Sequence, residues 1–127
     1  MRALIADDTA LLRQGLARLL TEAGIEVCGE AGDGQELLQL VEQERPDVAI
    51  VDIRMPPTHT DEGIHAAREI RARHPATAVL VLSQNLEPEY ALRVVEQRPQ
   101  RVGYLLKERV GRVQQLVAAL ERVAAGE

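Results

Sequence analysis

Residues 48–56 of this 127-residue chain have the sequence VAIVDIRMP, in which four consecutive apolar residues lead to Asp52 and a proline follows four residues later. Four apolar residues in a row suit a strand that is covered on both faces, as in the centre of a parallel sheet. Residues 3–6 (ALIA) and 79–82 (VLVL) repeat the pattern. We therefore predict three central strands of a parallel sheet at these positions.

Two further runs, at residues 25–31 and 102–106, alternate more between apolar and polar side chains and are predicted to be edge strands. Apolar residues at helical spacing fill the intervals between strands, and Pro88 is suited to open the fourth of five helices. This alternation predicts an α/β fold, (βα)5, with helices on both faces of a five-stranded parallel sheet. Three central strands favour the order 2-1-3-4-5, one of the common orders of doubly wound folds.

Composition and charge narrow the classes of function. One cysteine, Cys28, excludes an internal disulfide or a cysteine-rich zinc site, and it fits a reducing compartment. A net charge of −5 and the lack of Phe and Trp argue against nucleic-acid binding by this domain. No apolar run reaches the roughly 18–20 residues of a membrane span, and the N-terminal run is too short for a secretory signal. We expect one cytoplasmic domain over residues 1–127.

Polar residues follow four of the predicted strands. They are Asp7 and Asp8 after the first strand, Asp52 after the third, Ser83 after the fourth and Lys107, the only lysine, after the fifth. Because ligands of such sheets bind beyond the carboxyl ends of the strands, we expect these side chains to converge. Clustered carboxylates repel one another unless a cation joins them, and an all-oxygen set suits Mg²⁺ better than zinc. An aspartate beside Mg²⁺ and a lysine is suited to accept a phosphoryl group, to which a serine hydroxyl can donate.

Each residue of this set also has a simpler interpretation. An acid after the first strand can cap the first helix, although a cap accounts for only one of Asp7 and Asp8. Asp52 can be a loop acid, Ser83 an ordinary strand-end hydroxyl, and Lys107 a solvated surface charge. The histidines have no metal-ligand spacing among themselves and are expected at the surface: His59, His65 and His74.

In order and spacing, these residues resemble the receiver domain of two-component response regulators, over essentially the whole chain. Residues 52–56 (DIRMP) and 103–107 (GYLLK) look most like the NarL/LuxR-type subgroup. The resemblance implies a flavodoxin-like fold in which Asp52 accepts the phosphoryl group from a phosphohistidine of a sensor histidine kinase. It also implies that Mg²⁺, or Mn²⁺ in its place, is held by Asp52, by Asp8 directly, by Asp7 largely through water, and by the backbone carbonyl of Arg54.

The resemblance further implies a two-state switch and a transcriptional output. Lys107 would contact the phosphoryl group, Ser83 would close on it, and Tyr104 would turn inward. On sequence alone, a tyrosine in the position of Tyr104 is more often a packing residue of an edge strand than part of a switch. The face around the helix after Pro88, the fifth strand and the last helix would then pair with a second copy. A C-terminal helix-turn-helix effector domain is expected in the full protein, outside this chain.

A loop near the site is longer than the family pattern. Receivers usually place a glycine eight residues after the phosphoacceptor, whereas Gly63 lies eleven after Asp52. The added residues lie beside the predicted site. We interpret them as altering access to it or adding a contact, with His59 or Asp61 as candidates.

Two other departures affect the lifetime and the output of the switch. Gln84 stands where a small residue is common, and we hypothesise that its amide slows or redirects water attack on the phosphoryl group. The turn at residues 97–101 is longer than usual and lies on the expected dimer face.

Two alternatives to a phosphorylated receiver stay open. The first is a Mg²⁺-dependent phosphatase with an aspartyl nucleophile, but such enzymes usually need a second acid two residues on, where this chain has Arg54. The second is a receiver-like module that signals without phosphate, against which the complete set of acids, serine and lysine argues. We therefore predict a signalling domain rather than an enzyme.

Overall fold

The computed structural model describes residues 1–84, 100–107 and 112–126. Within these residues, five parallel strands form one sheet in the order β2-β1-β3-β4-β5. The strands are β1 (Arg2–Ala6), β2 (Glu26–Ala31), β3 (Val48–Asp52), β4 (Ala78–Ser83) and β5 (Val102–Leu106). The predicted fold class, strand order and central strands are confirmed.

The helices in the described residues are α1 (Ala10–Glu22), α2 (Gly34–Glu44), α3 (Glu62–Arg73) and α4 (Val113–Ala124). The helix predicted after Pro88 lies outside the described residues, as does most of the turn predicted at residues 97–101. Among the described helices, none combines the length and the apolar character that crossing a membrane requires.

The sheet separates two aliphatic cores. Successive side chains of a strand point to opposite faces, and along β3 Ala49 and Val51 join one core while Val48 and Ile50 join the other. Helices α2 and α3 cover the first face, and α1 and α4 cover the second. Every residue of β3 and β4 is buried. The continuous apolar runs of the sequence are therefore explained, as predicted, by strands that are covered on both faces.

Gly63, in the first turn of α3, joins that helix directly to the end of β3. Its amide donates to the carbonyl of Ile53 at 2.8 Å. A Cβ at this position would lie 1.9 Å from the carbonyl oxygen of Asp52, a backbone atom that no side-chain movement can clear. Only glycine fits this approach, so α3 begins against the strand that carries Asp52 whatever the length of the intervening loop.

His74 is buried and not at the surface as predicted. It follows α3, and its carbonyl accepts a hydrogen bond from the amide of Thr77 at 2.9 Å, which closes a tight turn into β4. That turn carries the imidazole inward, with Nε2 3.7 Å from a carboxylate oxygen of Glu42 on α2. The prediction was wrong because a lack of metal-ligand spacing says nothing about burial. His59 and His65 are exposed as predicted.

Candidate functional site

The carboxyl edge of the sheet brings the predicted acids and the lysine together. The Nζ atom of Lys107 lies 3.3 Å from Oδ2 of Asp7 and 3.1 Å from Oδ2 of Asp52. One carboxylate oxygen from each of Asp7, Asp8 and Asp52 lies within 4.8 Å of the others. Asp7 and Asp52 are buried, whereas Asp8 is exposed. Three strand ends that are far apart in sequence therefore form one cluster of charges.

A cavity of about 260 Å³ opens over this cluster. Its walls come from four strand ends and from the loop between β3 and α3. The lining residues are Asp8, Thr9, Asp52, Ile53, Arg54, His59, Ser83, Gln84 and Lys107. The cavity is large enough for a phosphoryl group and several waters, since one water occupies about 30 Å³ of liquid.

The short connection after β1 holds Asp7 by its backbone and by one side-chain oxygen. The Asp7 amide donates to the carbonyl of Ala31 at 3.0 Å, and Oδ1 accepts from the amide of Thr9 at 2.8 Å. The Asp7 carbonyl accepts from Nη1 of Arg13 at 2.6 Å. Thr9, and neither acid, is the N-cap residue of α1. Helix capping therefore does not account for the pair of acids.

Burial sets the protonation equilibria of the site. It raises the pKa of Asp52 to about 6, with the charge of Asp7 adding to the effect and Lys107 and a hydrogen bond from the Arg54 backbone opposing it. Burial also disfavours the charged form of Lys107, but the attraction of Asp52 and Asp7 outweighs it and raises the pKa of Lys107. Asp52 is thus mostly ionised at neutral pH and faces a permanent ammonium.

The residues present fit a small divalent cation. Oδ2 of Asp7 is completely buried, and within the part of the chain that the structure describes the positive group beside it is Nζ of Lys107, at 3.3 Å. A buried carboxylate oxygen of this kind is costly unless a positive charge balances it. Lys107 is one ammonium shared between two carboxylates, while the exposed Asp8 adds a third oxygen donor. Such an oxygen set beside a wet cavity suits Mg²⁺, which keeps several of its waters when bound.

The remaining predicted residues divide between the cavity and other parts of the domain. Ser83, Gln84 and Arg54 line the cavity, Ser83 as the buried last residue of β4. Tyr104 lies in the middle of β5, opposite Val81, where it packs against the core on the α2 and α3 face. Asp61 precedes α3 outside the cavity, and its carboxylate contacts Thr60 and His65.

The loop between β3 and α3 contains contacts that the sequence analysis missed. Nε2 of His59 lies 2.9 Å from Oδ2 of Asp8, so a residue named only as a candidate touches an acid of the cluster. The carboxylate of Glu62 accepts from the amide of Thr58 at 2.7 Å, from its hydroxyl, and from the amide of Thr60 at 3.0 Å. The sequence offered one indication of these contacts, namely two threonines, Thr58 and Thr60, shortly before an acid at the start of a helix.

Comparison with known proteins identifies the family. Residues 3–121 match the family model of the response regulator receiver domain. The chain is a response regulator receiver domain. Receiver domains of this kind are signalling domains of two-component systems, and the predicted family is confirmed.

Relatives of this receiver domain are regulatory proteins by name. It is 36% identical to the oxygen regulatory protein NreC of Staphylococcus epidermidis, over 100% of this chain and 56% of NreC. It is 48% identical over 80 residues to the transcriptional regulatory protein PdtaR of Mycobacterium tuberculosis, which is 63% of this chain and 38% of PdtaR. The receiver domain thus spans about half the length, or less, of these relatives.

Solved structures agree with this assignment. The DNA-binding response regulator of the LuxR family from Staphylococcus aureus superposes on the receiver domain with a TM-score of 0.82 and 30% identity, covering 97% of this chain and 98% of that one. The NarL/LuxR character predicted from residues 52–56 and 103–107 is therefore confirmed.

Proposed function

We propose that this receiver domain is a phosphorylation-activated switch with Asp52 as its phosphoacceptor. An Asp52 carboxylate oxygen attacks the phosphorus of a phosphohistidine on a sensor histidine kinase. A P–O bond forms, the P–N bond breaks, and its electron pair returns to the imidazole nitrogen. The observation that carries the proposal is the position of Asp52, buried on the floor of the cavity with Nζ of Lys107 at 3.1 Å.

The chain's own residues supply the positioning that phosphoryl transfer chiefly requires. Lys107 balances the charge of the phosphoryl group at the place where it already balances Asp52. The hydroxyl of Ser83 lies at the cavity wall and donates to a phosphoryl oxygen. Because the pKa of Asp52 is about 6, the nucleophile is mostly charged at neutral pH.

Three carboxylates and one carbonyl would hold the metal. They belong to Asp7, Asp8 and Asp52, with the backbone of Arg54 as the fourth group, and Mn²⁺ is expected to substitute for Mg²⁺. When bound, the cation neutralises charge on the group in transfer. Asp7 is expected to act largely through water, which agrees with its position beneath the cavity rather than in its lining.

The output is proposed to pass from Ser83 to Tyr104. The two residues lie on adjacent strands, Ser83 opposite Leu106 and Tyr104 opposite Val81. A movement of Ser83 onto a phosphoryl group changes the packing at the end of β4, and Tyr104 fills the space behind it. The altered face of β5 and α4 then pairs with a second copy. A fused DNA-binding domain outside this chain would convert the homodimer into transcriptional control in the cytoplasm.

Gln84 is proposed to set the lifetime of the phosphorylated state. It is exposed and lines the cavity beside Ser83 and Lys107, where its amide competes with water for the phosphoryl group. Replacement Gln84→Ala is expected to change the rate of autodephosphorylation several-fold. An unchanged rate contradicts this role and leaves the phosphoacceptor assignment intact.

The proposed function is tested by intact mass after incubation with acetyl phosphate, with and without Mg²⁺. We expect one phosphoryl group per chain, dependent on Mg²⁺, absent from Asp52→Asn and present in Asp61→Asn, the matched aspartate outside the cavity. Continuous release of phosphate without a lasting adduct would instead indicate the phosphatase. A folded chain with neither adduct nor turnover would indicate the module that signals without phosphate.

A further inference from the structure

The loop between β3 and α3 presents an imidazole to the carboxylate cluster. His59 lines the cavity, and its Nε2 atom lies 2.9 Å from Oδ2 of Asp8. Asp8 is the exposed member of the three acids, so it is the one that a group from outside the sheet can reach. The nine-residue loop between β3 and α3 brings His59 to this cavity.

The loop has its own internal support, which holds His59 in place. The His59 amide donates to the carbonyl of Met55 at 2.9 Å, and its backbone adopts the left-handed conformation with φ at 56°. On the other side, the carboxylate of Glu62 receives hydrogen bonds from Thr58 and Thr60, the two neighbours of His59. The imidazole is therefore presented by a braced turn, although its side chain is half exposed to solvent.

The distance between the imidazole and the carboxylate suits two ligands of one ion. Adjacent ligands of an octahedral ion with bonds of about 2.1 Å lie about 3 Å apart. The separation of 2.9 Å between Nε2 of His59 and Oδ2 of Asp8 matches that edge. Neither side chain needs to move far from the other for both to contact the same cation.

We propose that His59 is a specificity-determining ligand that shifts the metal preference of this receiver domain from Mg²⁺ toward first-row transition ions such as Mn²⁺. Mn²⁺ also binds oxygen ligands well, but it accepts an imidazole nitrogen more readily than Mg²⁺, which favours oxygen ligands and retained water. Adding one nitrogen to the oxygens of Asp8 and Asp52 therefore strengthens Mn²⁺ binding and leaves Mg²⁺ binding nearly unchanged. The inference rests on the cation site of the proposed function.

The affinities of Mn²⁺ and Mg²⁺ test this, each metal titrated alone by calorimetry. In His59→Asn we expect the ratio of Mn²⁺ affinity to Mg²⁺ affinity to fall about tenfold, the scale on which a single group near a metal acts. Asparagine tolerates the left-handed backbone of this position. His59→Gly removes the side chain altogether and is expected to give the same fall. His65→Asn is the matched control, because His65 is also exposed and also pairs with an aspartate, Asp61.

A spectroscopic signature separates ligation from simple support of Asp8. Pulsed electron paramagnetic resonance of the Mn²⁺-loaded domain is expected to show coupling to an imidazole nitrogen, lost in His59→Asn and kept in His65→Asn. A histidine that only positions Asp8 would lower the affinity for both metals equally and show no such coupling, which would overturn the inference.

The outcomes also separate this inference from the function on which it rests. A Mg²⁺-dependent phosphoryl adduct together with an unchanged metal ratio in His59→Asn would overturn only the role of His59. A wild-type domain that binds neither metal would overturn both the role of His59 and the cation site.

Discussion

The two connections that carry the acids of the site, β1 to α1 and β3 to α3, differ in length and in how they are held. The first has three residues, and Asp7 within it is tied to Ala31, Thr9 and Arg13. The second has nine residues; Gly63 attaches its far end to the backbone of Ile53, and Glu62 braces the turn at residues 58–60. Its middle lies over the cavity.

The difference shows where this fold accepts variation. Residues that need a fixed geometry, such as Asp7 and Asp52, lie at strand ends or on the short connection. A longer loop between fixed ends costs little in chain entropy, because that cost grows only with the logarithm of its length. The long connection can therefore differ in length without displacing Asp52, and in this chain its nine residues bring His59 to Asp8.

The largest effect is expected where the long connection is fastened. Gly63→Ala places a Cβ 1.9 Å from the carbonyl oxygen of Asp52, so the backbone of α3 or β3 must shift. We expect the free energy of unfolding in urea to fall by about 3 kcal/mol, the upper part of the range for overpacking.

Gly15→Ala is the control for this substitution. Gly15 lies within α1, and a Cβ there meets no atom within 4 Å. Alanine in place of glycine in a helix is expected to raise stability by about 0.5–1 kcal/mol. Equal effects of the two substitutions would show that the approach of α3 to β3 is not the fastening point.

The second-largest effect on stability is expected from the buried charges of Asp7, after β1, and Asp52, at the end of β3. Because burial raises the folded-state pKa of Asp52 from 3.8 to about 6, protonated Asp52 favours folding. This contribution is complete below pH 3.8 and is lost as the pH rises through 6. Without divalent metal, Asp52→Asn is therefore expected to stabilise the domain at pH 7.5 by about 2 kcal/mol, and by about half as much at pH 5.

Urea unfolding at the two pH values, with a chelator present, measures this effect. In a second measurement, with Mg²⁺ in place of the chelator, the wild type is expected to be more stable and to differ less from Asp52→Asn. The reason is that a cation that binds only the folded state shifts the equilibrium toward it. A gain from Asp52→Asn that is the same at pH 5 and pH 7.5 would contradict the electrostatic explanation.

The same contrast explains how much the sequence predicts. The strands and their order are predicted from continuous apolar runs, which are a local pattern. The convergence of Asp7, Asp52 and Lys107 is predicted from the geometry of parallel sheets, which is a general rule. The contact of His59 with Asp8 depends on the path of a nine-residue loop, which no periodicity describes. The burial of His74 depends on a tight turn and was missed for the same reason.

A third, smaller effect on stability is expected from the hydrogen bonds that hold the connection between β1 and α1. Arg13 is mostly buried; its Nη1 donates to the Asp7 carbonyl at 2.6 Å and its Nε lies 3.2 Å from Glu30. Arg13→Gln is expected to cost about 1 kcal/mol of unfolding free energy, as for a typical hydrogen bond.

Arg18 on the same helix is the matched control for Arg13. It is 83% exposed and pairs only with Glu22 in the described residues, at 3.2 Å. Because exposed ion pairs contribute little, Arg18→Gln is expected to leave the urea midpoint almost unchanged. A loss as large as that of Arg13→Gln would mean that helix charge, and not the tie to Asp7, accounts for the effect.

The smallest effect on global stability is expected from the Glu62 carboxylate, which braces the loop between β3 and α3. Its effect on local opening of that loop is expected to be large. The hydroxyl of Thr58 is the main cause of the lowered pKa of Glu62, about 2, and the amides of Thr58 and Thr60 contribute. These hydrogen bonds to the loop are therefore at full strength above pH 4.5 and are weakened as the pH falls through 2. At neutral pH, Glu62→Gln removes the charge but keeps the shape. We expect faster hydrogen exchange at the two threonine amides and an unchanged urea midpoint, because local opening of a loop is independent of global unfolding. A lowered midpoint would show that the long connection supports the fold as the short one does. Unchanged exchange would show that Glu62 does not brace the loop that presents His59 to Asp8.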